Sequence, residues 1–141
     1  MIDLQIFVKA QEDIYELALA ELKNGKKVSH WMWYVFPQIA GLGTSEMARK
    51  YAIPNLADAR TYLAHEWLGP RLRQCTEAVL AVEGRSAYEI LGSPDDMKLK
   101  SCMTLFELAD GPDSIFSDIL MKYFEGQRDE RSLTILNAPL S

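Results

Sequence analysis

Apolar residues recur along this chain at the i, i+3, i+4, i+7 spacing of amphipathic helices, without a strong alternation of period two. Glycine and proline divide the apolar stripes into short segments. The clearest predicted helices span about 3–24 and 70–83, and shorter ones are predicted through Tyr51, after Pro54, after Ser93, through Tyr123 and from Asp129 to Leu136. The first helix either runs unbroken or is interrupted near residues 11–13. The tail from Pro139 is expected to fray.

The longest uninterrupted apolar run lies within residues 29–38, a segment that also contains two of the three tryptophans. At helical spacing one face carries Val28, Trp31, Met32 and Val35, and the other carries His30, Trp33, Tyr34 and Pro37. Ser29 is predicted to cap this helix and Pro37 to end it, because proline disfavours helical geometry in the preceding residue. A strand is the alternative, since aromatic residues and valine favour strands. We prefer a short buried helix.

Capping signals mark where several helices begin. Asn55 is predicted to cap one helix, and Ser86 forms a capping-box pattern with Glu89. Pro70 is predicted at a first helical position, where its missing N–H costs nothing. The Ser-Pro-Asp-Asp sequence at 93–96 combines a capping serine, a first-position proline and two acidic residues that the helix dipole favours. These signals agree with the apolar stripes in predicting many short helices.

The predicted fold is therefore all-α. About eight short helices joined by short loops would form a single compact domain over residues 1–141, around the buried aromatic-rich segment 29–38. There are too many short helices for a simple four-helix bundle.

Composition excludes several functional classes. The 141 residues carry a formal net charge of −5, which argues against non-specific binding to nucleic acid, because such binding needs clustered lysine and arginine. No apolar run approaches the roughly 20 residues of a membrane helix, and the N-terminus lacks the pattern of a signal peptide. We therefore predict a cytoplasmic protein with no nucleic-acid or membrane partner. The oligomeric state has no signal in the sequence.

The two cysteines predict structural thiols. Cys75 and Cys102 each lie within an apolar helical stripe, as is typical of free, buried thiols in a cytoplasmic protein; a disulfide is the alternative. No cysteine or histidine pair has the spacing of a zinc site, so we predict neither a metal nor another cofactor.

A ligand site is hypothesised on the second face of the central segment. His30 changes charge near neutral pH and is the candidate general acid or base; a hydrogen-bonded core histidine is the alternative. Trp33 and Tyr34 could stack on a planar ligand, although plain core packing would also explain them. Gln38 is a candidate polar contact.

Cationic residues elsewhere in the chain could complete this site. Arg71 and Lys98 are candidates for binding an anion, and a solvated charge is the alternative for each. The adjacent carboxylates Asp95 and Asp96 could act as a pair, but their place in the first turn of a helix explains both.

The motif at 29–38, Ser-His-Trp-Met-Trp-Tyr-Val-Phe-Pro-Gln, resembles the signature of an uncharacterised bacterial family, domain of unknown function 1810. Further similar pieces lie at 7–11, 41–43, 63–65, 68–72, 93–98, 103–106 and 122–124. The resemblance covers nearly the whole chain and implies a mostly helical, compact cytoplasmic domain. It implies no reaction.

Three functions remain open. The first is a domain that binds a small anionic or nucleotide-like ligand. The second is a hydrolase acting on such a ligand with His30 as general acid or base, and the third is a protein-interaction domain. The sequence does not decide whether the protein is an enzyme.

Overall fold

Helices form every regular element in residues 2–137, the part of the chain that the computed structural model describes, apart from one isolated parallel bridge between Ile39 and Ile53. They are α1 (Gln5–Gln11), α2 (Tyr15–Lys23), α3 (Met32–Val35), α4 (Glu46–Lys50), α5 (Leu56–Ala64), α6 (Leu68–Ala81), α7 (Ala87–Leu91), α8 (Asp95–Asp110), α9 (Ile115–Phe124) and α10 (Glu130–Leu136). The all-α class is confirmed, with ten helices in this range rather than about eight. The expectation for the tail from Pro139 lies outside the described residues.

The first predicted helix is divided in two by a turn at residues 12–14. Gln11, the last residue of α1, is buried, and its side-chain amide donates to the carbonyl of Tyr34 at 2.8 Å and to the Tyr62 hydroxyl at 3.3 Å. The chain turns after this polar anchor and continues as α2. Of the two alternatives, the interrupted helix is therefore correct.

The central segment is helical only over the four residues of α3. The prediction that Ser29 caps this helix is wrong, because Trp31 occupies the N-cap position and the Ser29 hydroxyl donates to the Glu21 carboxylate instead. Val28 is 72% exposed, so its placement on the buried face is also wrong. Residues 28–30 precede the helix, and helical spacing does not apply to them.

Glu21 of α2 holds this segment against the core. Its buried carboxylate accepts the backbone N–H groups of Val28 at 2.9 Å and Ser29 at 3.0 Å, the Ser29 hydroxyl at 2.7 Å and the Trp31 indole N–H at 2.9 Å. Burial alone would raise the pKa of Glu21, but the hydrogen bonds outweigh it and lower the pKa to about 2. The ionised carboxylate therefore fixes the position of the residues that precede α3.

The interior is built on α8, which packs against α5, α7, α9 and α10. All residues from 101 to 107 on this helix are buried. A row of rings crosses the core. The ring centroids of Tyr62 and Phe106 lie 5.5 Å apart, and the row ends at Phe116, whose centroid lies 5.8 Å from that of Phe106. Trp31 and Phe36 of the central segment are fully buried in the same hydrophobic cluster.

Both cysteines are free and buried, as predicted. Burial raises the pKa of the Cys75 thiol to about 12, and raises that of Cys102 well above its usual value. Both side chains therefore remain protonated and unreactive at neutral pH. None of the helices described is long and apolar enough to cross a membrane.

Several predicted caps are confirmed, and one besides Ser29 is corrected. Asn55 and Ser86 with Glu89 cap their helices as predicted, and Asp129 caps the last helix, which was predicted to begin there. Ser93 does not cap α8, because the backbone carbonyl of Gly92 accepts the first-turn N–H of Asp96 at 2.9 Å.

Pro70 is not the first residue of its helix, because α6 begins two residues earlier at Leu68. The imidazole Nδ1 of His65 accepts the backbone N–H groups of Trp67 and Leu68, at 3.1 and 3.2 Å, and so supports the earlier start. Trp67 is 49% exposed, since it lies at the turn that leads into α6.

We expect Gly69→Ala to destabilise the protein by roughly 2–3 kcal/mol. A β-carbon at this position would lie 2.1 Å from the carbonyl oxygen of Leu63, so α5 and α6 would have to move apart. Denaturant unfolding measures the loss. The neighbouring exposed Pro70→Ala is the control and should cost less than about 1 kcal/mol. Equal stability of Gly69→Ala and the unmodified protein would show that this close approach is not required.

Candidate functional site

A cavity of about 340 Å³ opens where the loop after α3, helix α4, the first turns of α8 and the start of α10 meet. Its size is that of a small-molecule site. The lining combines two aromatic rings, Trp33 and Tyr51, with apolar residues and a polar set that consists of Gln38, Lys98, Ser101, Asp129 and Arg131. We call it the Trp33 cavity.

Backbone pairing builds one wall of this cavity. The Ile53 N–H donates to the carbonyl of Gln38 at 2.9 Å, and the Ile53 carbonyl accepts the N–H of Ala40 at 2.9 Å. This short parallel pairing places the residues after α3 beside those after α4. The Arg131 guanidinium then donates to the carbonyl of Leu42 at 2.9 Å and ties the glycine-containing loop to α10.

The Lys98 ammonium lies 3.7 Å from the ring centroid of Trp33, which is the range of a close cation–π contact. It also forms an ion pair with Asp95 at 3.3 Å, and the other oxygen of the same carboxylate pairs with Lys27 at 2.9 Å. Two ammonium groups thus share one carboxylate. The group keeps a net positive charge beside the cavity and holds Lys98 in place.

Three of the six candidate site residues line the cavity, namely Trp33, Gln38 and Lys98. Tyr34 does not line it but supports its wall, because its ring packs on Tyr51 with centroids 5.2 Å apart. The structure therefore brings four of the candidates to one region, although they come from α3, the following loop and α8.

Arg71 and His30 do not line the cavity. The Arg71 guanidinium lies over the rings of Tyr15 at 5.2 Å and Trp67 at 6.0 Å, on the side of α6 that faces α2. His30 is exposed and precedes α3, so the alternative of a buried core histidine is wrong. His30 shares no helical face with Trp33, because the helix begins only at Met32.

Tyr51, Asp129 and Arg131 line the cavity without having been recognised in the sequence. Asp129 had a sufficient explanation as a helix cap, and its carboxylate does accept the Ser132 N–H and hydroxyl at 3.0 and 2.6 Å. Arg131 lies 98 positions after Trp33 and belongs to no recognisable motif. No local signal could have placed it there.

Asp95 and Asp96 do not form a paired-carboxylate site, since Asp95 pairs with the two lysines.

Comparisons with known proteins agree with the resemblance of the 29–38 motif. A family model described as "Protein of unknown function (DUF1810)" matches residues 1–136. The fold is similar to the crystal structure of the conserved hypothetical protein Rv1873 from Mycobacterium tuberculosis, with a TM-score of 0.94 and 47% sequence identity over 97% of this chain and 98% of that one. No curated protein matches the chain significantly. The protein therefore belongs to the DUF1810 family.

Proposed function

We propose that this protein is a cytoplasmic domain that binds a small, planar, anionic ligand of the nucleotide type in the Trp33 cavity. The observation that carries the proposal is the Lys98 ammonium held 3.7 Å from the Trp33 ring inside a concave site. An aromatic face and a fixed cation at one place are the two groups that such a ligand requires. A concave site with these groups also favours ligand binding over a flat protein-interaction surface.

The rings of Trp33 and Tyr51 supply contact area for a planar group. Both side chains have few rotatable bonds, so ordering them around a ligand costs little conformational entropy. Tyr51 is 7% exposed and is supported from behind by Tyr34 and by Phe7, whose centroid lies 5.6 Å away. The Tyr51 ring is therefore packed in place before any ligand arrives, which lowers the cost of binding.

The polar groups favour a negative charge on the ligand. Lys98 and Arg131 face the cavity with one carboxylate, that of Asp129, although the chain as a whole carries a formal charge of −5. Within the first turn of α10, Oδ2 of that carboxylate accepts the Ser132 N–H and the Ser132 hydroxyl. The Gln38 side chain adds a neutral donor and acceptor.

A hydrolase that uses His30 has no support in this geometry. The imidazole is exposed and is not part of the cavity wall, so a ligand bound against Trp33 would not lie against it. Ligand binding without a role for His30 is therefore the function that the arrangement favours.

A thermal-shift measurement tests the proposal, with adenosine 5′-monophosphate as the probe and adenosine as its uncharged counterpart. At a concentration one hundred times Kd, binding would stabilise the folded state by about 2.7 kcal/mol and raise Tm. Trp33→Ala and Lys98→Met should reduce the shift, because they remove the stacking face and the cation. The four mononucleotides and ribose 5-phosphate belong in the same screen.

Two control variants separate this site from the alternatives. Lys9→Met removes an exposed lysine on α1, away from the cavity, and should keep the full shift. His30→Gln should keep it too. The proposal fails if none of these anionic probes shifts Tm, or if His30→Gln abolishes a shift that Lys98→Met retains.

A further inference from the structure

A second depression of about 710 Å³ adjoins the Trp33 cavity. It lies between α8 and the segment that joins α9 to α10. Met97, Asp129 and Arg131 line both spaces, so these side chains form the boundary that the two cavities share. We call the second space the Lys100 cavity, after a lysine that lines this cavity and not the Trp33 cavity.

The charges that line the two cavities are mixed but favour an anion at their shared boundary. Four cationic side chains and three carboxylates line the two cavities together. Arg128 forms an ion pair with Glu107. Lys100 and Arg131, by contrast, have no carboxylate within 4 Å of their side-chain nitrogens in residues 2–137, so no ion pair there neutralises either charge.

The floor of the Lys100 cavity is held in place by hydrogen bonds. The Asp129 N–H donates to the Thr104 hydroxyl at 2.9 Å, and the Glu107 carboxylate accepts the Ser117 hydroxyl at 2.7 Å as well as Arg128. These bonds fix residues 128 and 129 to α8. Met97, which is 48% exposed, is the adaptable part of the boundary, because its unbranched thioether can adjust to what lies across it.

From this shared boundary and its charges we infer that the ligand has two parts joined by a charged linker. The planar part stacks in the Trp33 cavity, a phosphate-type linker crosses Met97 beside Arg131, and a second polar unit of the sugar type occupies the Lys100 cavity. The carboxylates there suit this unit, because carboxylate oxygens accept hydrogen bonds from sugar hydroxyls. The ligand class is thus a nucleoside diphosphate that carries a further hydroxylated unit. This inference rests on the proposed function and names its ligand more closely.

Isothermal titration of the full chain with three probes tests the inference. Adenosine 5′-monophosphate fills only the first cavity, ADP adds the linker, and ADP-ribose adds the second unit. We expect ADP-ribose to bind about tenfold or more tightly than the monophosphate, because it gains charge-assisted contacts. ADP should fall between them.

Three lysine variants test where each of the two parts of the ligand binds. Lys100→Met should weaken ADP-ribose binding several-fold and leave binding of the monophosphate unchanged, whereas Lys98→Met should weaken both and Lys9→Met neither. If the monophosphate binds but ADP-ribose binds no more tightly than ADP, or Lys100→Met has no effect, the two-part ligand is overturned and the proposed function stands. If no probe binds, both are overturned.

Discussion

Replacing Glu21 with alanine is expected to lower the free energy of unfolding by roughly 3–5 kcal/mol, a large part of the stability of an ordinary domain. The variant loses four hydrogen bonds to one buried carboxylate and leaves the Trp31 indole N–H without an acceptor in the core. Denaturant unfolding followed by circular dichroism measures the change. Glu16→Ala, an exposed position on the same helix, is the matched control and should change stability by less than about 0.5 kcal/mol.

The acid dependence of stability provides a second test of the same carboxylate. The pKa of Glu21 is lowered from 4.5 to about 2 in the folded protein, so its contribution is complete above pH 4.5 and is lost as the pH falls toward 2. Glu21→Gln lacks this contribution at every pH. The stability difference between the unmodified protein and Glu21→Gln should therefore shrink over that interval. A difference that stays constant from pH 6 to pH 2 would contradict the assigned hydrogen bonding.

Trp31→Ala is expected to cost about 3–5 kcal/mol, because the side chain is fully buried and its removal leaves a large cavity. The ring packs on Phe36 with centroids 6.2 Å apart and donates to Glu21, so the variant loses packing and a buried hydrogen bond together. Trp33→Ala should cost less, on the order of 1–2 kcal/mol, because its half-buried ring already borders a void.

The pair of tryptophan variants separates a core residue from a site residue. Trp31→Ala should lose stability and, where it still folds, retain ligand binding; Trp33→Ala should retain most stability and lose binding. The partly exposed Trp33 should also be the ring whose fluorescence responds to a bound ligand. Equal losses of stability in the two variants would remove the distinction on which the cavity assignment rests.

The candidate site was predictable where its residues lie near one another in sequence. Trp33 and Gln38 belong to the motif at 29–38, and their aromatic and amide groups indicated a ligand. Lys98 was a candidate for its charge alone, and its contact with Trp33 depends on how α8 packs beside α3. His30 was assigned to the site by a helical spacing that does not extend before Met32.

The sequence by itself determined the all-α class, the burial of both cysteines and most helix caps, because these depend on apolar spacing and on side chains that bond to backbone within three residues. Only the tertiary structure decided the role of Glu21, the close approach at Gly69 and the convergence of Trp33, Lys98 and Arg131. A charged residue on a helical stripe looks the same in sequence whether it faces water or a buried indole. Its partners are determined only when distant segments pack together. A period of 3.6 residues specifies which side chains share a helix face, but not which segment packs against that face.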